Sequence, residues 1–208
     1  MKSLHGVLVL LATPFKPNYE LDEDAMIKQV QWVTEQGADG IIPTGSAGEL
    51  THLTDEELKR VHKICIDNAK AGMITVAGAG ADTTLEAVKR TKYAQDLGYD
   101  GVMIIPPYYW KCTEDEVYNH YKTLSDVTDI QIMFYHNPGL SKFLGTLPFI
   151  ERLSKIPRMT AMKDSHEDIT RTAYLQDKIA VFRTQPYFLF NLMLGGKGGT
   201  VATYAVPS

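Results

Sequence analysis

Eight short apolar runs of strand length, separated by amphipathic stretches of helical length, predict a (β/α)8 barrel of the TIM type. The runs are continuous rather than alternating, which is the pattern of strands buried on both faces in a parallel sheet. Helix-starting residues stand at the head of several intervening stretches. A doubly wound open sheet has the same alternation and is the competing architecture. No GxGxxG follows the first run and no GxxxxGK[ST] occurs anywhere, so the usual grounds for an open nucleotide-binding sheet are missing.

Strands are expected at Gly6–Ala12, Gly40–Pro43, Ile74–Ala79, Gly101–Ile105, Gln131–Tyr135, Thr160–Lys163, Ala180–Arg183 and Gly199–Thr203. The first helix is expected at Asp22–Glu35, where Ala25, Met26, Val30, Trp32 and Val33 form an apolar face behind a capping Asp. The second, Thr54–Lys70, opens with Thr-Asp-Glu-Glu and so puts acids where the helix dipole favours them. The third, Thr83–Leu97, stops before Gly98. Further helices are expected over Thr113–Leu124, Leu147–Lys155, Glu167–Gln176 and Tyr187–Leu194, seven in all.

The 208 residues suffice for one well-buried core, and residues 1–208 are read as one domain. A net charge of −4 with no basic run speaks against nucleic acid or an anionic membrane as the main partner. Cys65 and Cys112 form no CxxC pair and are read as reduced thiols of a cytoplasmic protein. The apolar N-terminal run is too short for a membrane span and reads better as a buried first strand.

In such a barrel the active site lies at the C-terminal ends of the strands. Lys163 ends the sixth strand after the apolar run Met159-Thr160-Ala161-Met162. Burial there disfavours the ammonium and leaves a free amine, as imine formation requires. The competing use of Lys163 is snorkelling to the barrel mouth or pairing with Asp164. Tyr135 ends the neighbouring fifth strand, where a phenol can relay protons or simply pack at the rim. The segment Thr44-Gly45-Ser46-Ala47-Gly48-Glu49 offers backbone N–H groups and a hydroxyl to an anion, although short Gly/Ser loops are also common punctuation. Pro106-Pro107-Tyr108-Tyr109-Trp110 is a rigid aromatic loop that seals the barrel end or docks on another subunit. The six histidines show no HExxH or paired spacing, so no metal is expected.

These segments, in order, resemble the dihydrodipicolinate synthase/N-acetylneuraminate lyase family of class I aldolases. The resemblance runs from Ala12-Thr13-Pro14-Phe15 through Gly45-Ser46-Ala47-Gly48-Glu49, Pro107-Tyr108-Tyr109, Tyr135-His136-Asn137-Pro138 and Met162-Lys163-Asp164-Ser165 to Gly195-Gly196. It implies a lyase in which Lys163 forms a Schiff base with pyruvate or another 2-oxo acid and Tyr135 relays protons. Ser46, with the N–H groups of Ser46 and Ala47, would hold the carboxylate, and Thr13 belongs to the same substrate-binding set. Tyr109 matches the tyrosine offered to a neighbouring subunit, which implies a homo-oligomer, dimer or tetramer. Thr200 falls where the family uses a backbone carbonyl near the imine. Tyr135-His136-Asn137-Pro138 followed by Lys142-Phe143 is similar to the hydratase-aldolase branch, in which Asn137 would orient a water or the substrate hydroxyl.

Two departures narrow the reading. Ala47 replaces the second hydroxyl of the synthase loop, and Pro138-Gly139-Leu140-Ser141 carries no arginine for an aldehyde carboxylate. The expected aldehyde partner is therefore open between the synthase type, sugar-acid aldolases and hydratase-aldolases of benzylidene-pyruvates. Family members also continue past the eighth strand with a closing helix and a small helical region. The expectation here is a barrel incomplete at its C-terminal end. A truncated, non-catalytic paralogue that binds a 2-oxo acid or a partner subunit is the alternative, and a phosphate-binding isomerase barrel is a third.

Overall fold

The eight strands of the computed structural model, which describes residues 2–202, close into a barrel in which each strand pairs in parallel with the next and β8 returns to β1. They are β1 (Gly6–Leu10), β2 (Gly40–Ile42), β3 (Ile74–Gly78), β4 (Gly101–Ile104), β5 (Gln131–His136), β6 (Met159–Asp164), β7 (Ala180–Thr184) and β8 (Gly198–Val201). Closure by the Gly6↔Gly198 and Leu8↔Thr200 pairs excludes the doubly wound sheet, which would leave two edges open. The eighth strand starts one residue earlier than expected, and Thr203 lies outside the described residues.

Helices α1 (Glu23–Glu35), α2 (Asp55–Asn68), α3 (Thr84–Asp96), α4 (Glu114–Val127), α6 (Leu147–Leu153), α7 (Thr170–Leu175) and α8 (Phe188–Met193) fall at the seven expected places. Their starts follow the sequence signals. Asp22 accepts the N–H of Ala25, and Thr54 and Thr113 form reciprocal capping boxes with Glu57 and Glu116. The eighth helix, α5 (Pro138–Ser141), is not anticipated by periodicity because it is one turn long. It exists because Asn137 caps the N–H of Leu140 and Pro138 presets the first helical φ.

Strand alternation sorts the core into layers. Leu8, Leu10, Ile42, Val76, Met103, Met133, Tyr135, Ala161 and Phe182 point into the barrel. Phe134, Met162 and Val181 point outward under the helices, with Tyr121 packed edge-on against Phe134. On the outside of β1 and β8, Val7, Val9, Trp32, Val33 and Val201 line an apolar groove beside α1. Cys65 is buried, Cys112 is half-buried, and neither forms a disulfide. No helix among the described residues is long and apolar enough to cross a membrane.

Candidate active site

Parallel pairing in register brings Tyr135 of β5 beside Lys163 of β6, both pointing inward. Lys163 is only 2% exposed, and its Nζ lies 4.0 Å from the centroid of the Tyr135 ring. Burial pushes the Lys163 ammonium below its ordinary value, against the opposing pull of the Tyr135 phenol. Burial also raises the Tyr135 phenol, but the Lys163 charge and hydrogen bonds from Ser46 and Asn137 outweigh it and leave the phenol below its usual value. The Tyr135 hydroxyl accepts from Asn137 Nδ2 at 2.9 Å and lies 3.4 Å from Ser46 Oγ.

Asp164 does not pair with Lys163. One residue on along the strand, it faces the helices, where it accepts from His136 Nδ1 at 2.8 Å and faces Arg171 at 3.4 Å and Arg183 at 3.6 Å. His136 Nε2 accepts the N–H of Gly145, and Arg171 donates to the Gly145 carbonyl. Burial keeps His136 below its ordinary value, so the neutral ring donates from Nδ1 and accepts at Nε2. This charged layer ties β5, β6 and β7 to the segment after α5. It thereby fixes from outside the strands whose inner faces carry Tyr135 and Lys163.

The loop after β2 is held in a tight turn whose internal hydrogen bonds are donated by Gly48, Glu49 and Leu50. The N–H groups of Ser46 and Ala47 take no part in them and stay available to an anion. Thr44 starts the turn at φ +51°, and its hydroxyl donates to the Gly78 carbonyl. With its one proton so committed, that hydroxyl accepts from His62 Nε2 at 2.7 Å, which fixes the tautomer of a buried imidazole. Burial pushes His62 down to about 4. Gly78 is required here, since a Cβ would stand 2.0 Å from the Thr44 carbonyl oxygen.

A cavity of about 390 Å³ opens above Tyr135 at the C-terminal ends of the strands. Its lining combines polar residues, Thr44, Ser46, Thr51 and His52, with apolar ones, Leu50, Met103, Ile105, Tyr108 and Leu140. Its described lining carries no lysine, arginine or carboxylate. Lys163 lies against the Tyr135 ring and does not itself form part of this wall.

Of the residues singled out from sequence, Lys163, Tyr135, Ser46 and Asn137 converge on this centre, with Ala47 half-buried in the adjoining turn. Thr13 is buried and donates to the Gly48 carbonyl at 2.7 Å, so its hydroxyl holds the turn rather than the cavity wall. Tyr109 is 63% exposed at the rim, stacked edge-on with Trp110, while its neighbour Tyr108 lines the cavity. The N–H groups of both tyrosines donate to Asp82 at 2.8 Å, which fixes the loop. Thr200 is buried on β8. His62, Met103, Ile105 and Leu140 were not singled out. Strand alternation was the available signal for Met103, which lies inside β4, and for Ile105, which follows it; the His62–Thr44 bond left no signal.

Fold and site together define a (β/α)8-barrel protein with a buried lysine–tyrosine pair at the C-terminal strand ends. The profile of the "Dihydrodipicolinate synthetase family" matches residues 3–207, and the chain belongs to that family. It is 36% identical over 168 residues to the 4-hydroxy-tetrahydrodipicolinate synthase of Parvibaculum lavamentivorans, covering 81% of this chain and 57% of that protein. Identity to the synthase of Syntrophus aciditrophicus is also 36%, over 201 residues, 93% of this chain and 68% of that one. Among solved structures, the chloride-inhibited dihydrodipicolinate synthase from Acinetobacter baumannii complexed with pyruvate superposes with a TM-score of 0.92 at 32% identity, covering 95% of this chain and 70% of that one. The chain thus spans between about half and two thirds of the length of these curated relatives.

Proposed function

We propose that this protein is a class I aldolase-type lyase that joins or cleaves a carbon–carbon bond through an imine between Lys163 and pyruvate or another 2-oxo acid. The observation that carries the reading is the buried Lys163 amine, without a carboxylate partner among the described residues, against a phenol hydrogen-bonded by Asn137 and within 3.4 Å of Ser46. Lys163 adds to the 2-oxo carbon, and Tyr135 supplies the proton with which the carbinolamine oxygen leaves as water. The iminium then acts as an electron sink, and its enamine adds to an aldehyde, or is formed by the reverse cleavage. Ser46 and the N–H groups of Ser46 and Ala47 hold the carboxylate, the Thr200 carbonyl lies near the imine, and Thr13 supports the carboxylate-binding turn. Neither metal nor organic cofactor is invoked. The reading takes residues 1–208 as one domain.

The cavity's composition favours an aldehyde with an apolar body. Leu140 of α5 stands in its lining together with Met103, Ile105 and Tyr108, and the described lining has no lysine or arginine to meet a second carboxylate. Benzylidene-pyruvate-type substrates fit this lining better than aspartate semialdehyde or sugar acids. The exposed Tyr109 and Trp110 are the surface through which a homo-oligomer, dimer or tetramer, forms, with Tyr109 offered to the neighbour's site.

Borohydride reduction in the presence of pyruvate, followed by peptide mass spectrometry, tests the central step. The expected result is an adduct on Lys163 that disappears in Lys163→Ala. A folded sample with no adduct would refute the imine and favour a non-catalytic, ligand-binding protein. Turnover with aspartate semialdehyde, 2-keto-3-deoxy sugar acids and benzylidene-pyruvates then separates the subtypes.

A further inference from the structure

Inward-facing side chains of an eight-stranded barrel stack in tiers of four from alternate strands, because the register steps about one residue per strand. Lys163 pairs through Phe182 with Gly198, so its own tier takes Thr200 on β8. The same count in the other direction takes Met103 on β4 and Ile42 on β2. All four are buried, at 2%, 1%, 2% and 0% exposure for Lys163, Thr200, Met103 and Ile42. The tier therefore holds two polar groups between two apolar walls, the Lys163 amine and the Thr200 hydroxyl. Tyr135 belongs to the next tier toward the strand ends.

Thr200 Oγ1 has no hydrogen-bond partner among the described residues. In a strand its hydroxyl has no i−4 carbonyl to turn to, as it would in a helix. Its register neighbours are Leu8 and Thr184. A valine has nearly the same shape and would avoid burying an unpaired hydroxyl. A ligand oxygen delivered into the tier of Lys163 would give this group a partner.

We propose that the Thr200 side-chain hydroxyl is a catalytic group of the imine-forming step, hydrogen-bonded to the oxygen that leaves the 2-oxo carbon. The inference rests on the lysine-imine reading and adds to it a side-chain role distinct from that of the Thr200 carbonyl. Nζ adds to the carbonyl carbon, forming the C–N bond, and the carbonyl oxygen becomes the carbinolamine hydroxyl by taking the Tyr135 proton, which a proton lost from Nζ replaces. That C–O bond then breaks, its oxygen departs with a second proton from Tyr135 as water, and the C=N bond forms. Thr200 stabilises the oxygen through both stages and transfers no proton, so the step balances without it.

The test is the rate of pyruvate adduct formation, read by borohydride quenching at timed intervals, in the unsubstituted protein, Thr200→Val and Thr200→Ser. Thermal melts are recorded on the same samples. Loss of one hydrogen bond to the reacting oxygen predicts roughly tenfold slower trapping in Thr200→Val. Thr200→Ser keeps the hydroxyl and is expected to remain close to the unsubstituted rate. Thr200→Val is expected to melt no lower than the parent, because it removes an unpaired buried hydroxyl. Trapping by Thr200→Val at the parental rate would overturn the proposal. So would equal slowing in both variants with a lowered midpoint, which would assign the effect to packing. An unsubstituted protein that forms no adduct would overturn the imine reading and this role with it, whereas normal adduct formation with an unaffected Thr200→Val rejects only the role.

Discussion

Asp164→Asn removes the carboxylate that His136, Arg171 and Arg183 share in a buried cluster and should be among the most destabilising single-atom changes available in this chain. The Asp164 side chain is 0% exposed, as are those of His136 and Arg183. One oxygen accepts from His136 and from the N–H of His166 at 3.1 Å, and an asparagine carbonyl can keep both bonds. The other oxygen faces two guanidiniums, and the asparagine NH2 would present a donor to them instead. Breaking a buried ion pair from one side costs about 3–5 kcal/mol. The lower end applies here, since Arg171 and Arg183 retain the Gly145, His166 and Asp168 carbonyls as acceptors. With a urea m-value of roughly 2–3 kcal/mol/M, a loss of about 3 kcal/mol moves the midpoint down by about 1–1.5 M. Asp129, which is 81% exposed beside Arg158, provides the control, and Asp129→Asn should cost less than about 1 kcal/mol. The pH arm has a definite sign. Burial raises the Asp164 carboxyl, but His136, Arg183 and the His166 N–H hold it below its ordinary value. Its contribution is therefore complete above the ordinary carboxylate range and is lost as pH falls through the lower folded value. Asp164→Asn should lack that portion of the acid transition. Equal midpoints for the Asp164 and Asp129 variants would refute the reasoning.

Lys163→Met should be more stable than the parent near pH 7.5, because it removes an amine whose charged form is disfavoured by burial. The unfolded chain holds that proton up to the ordinary lysine value, so parental stability rises with pH between the folded and ordinary values while the variant's does not. Urea midpoints at pH 7.5 and 9.5 measure both, and a less stable variant at the lower pH would contradict the account. His62 and His120 are each pushed by burial down to about 4. Parental stability should accordingly fall as pH drops from about 6.5 toward 4, where the unfolded chain protonates and the folded one resists. Melting curves at intervals of half a pH unit test this, and His120→Gln should flatten part of the slope.

Much of this architecture is written locally. Continuous apolar runs such as Ile74–Gly78 have no side that tolerates water, so they specify strands buried on both faces. Thr54 and Thr113, each followed three residues later by a glutamate, mark helix starts with their own side chains. Lys163 and Tyr135 were legible as site candidates because each falls at the C-terminal end of a buried apolar run, where a polar group needs a reason. Thr13 and Thr200 came only with the family resemblance, and their surroundings could not be read from it. The one-turn α5 escaped because four residues are too few for a period to register.

The sequence alone thus determined the alternation of elements, their order, most of their boundaries, and which residues could bear chemistry. Tertiary structure decided everything that depends on register and closure. Asp164 adjoins Lys163 in the chain, yet alternation sends it to the opposite face, where it pairs with His136, Arg171 and Arg183. The turn at Thr44 is held by His62, 18 residues away, and Thr200 shares a tier with Lys163 through the register of β6, β7 and β8. The physical reason is that local pattern sets which face a residue prefers, whereas the stagger of strands around a closed barrel sets which distant residues share it.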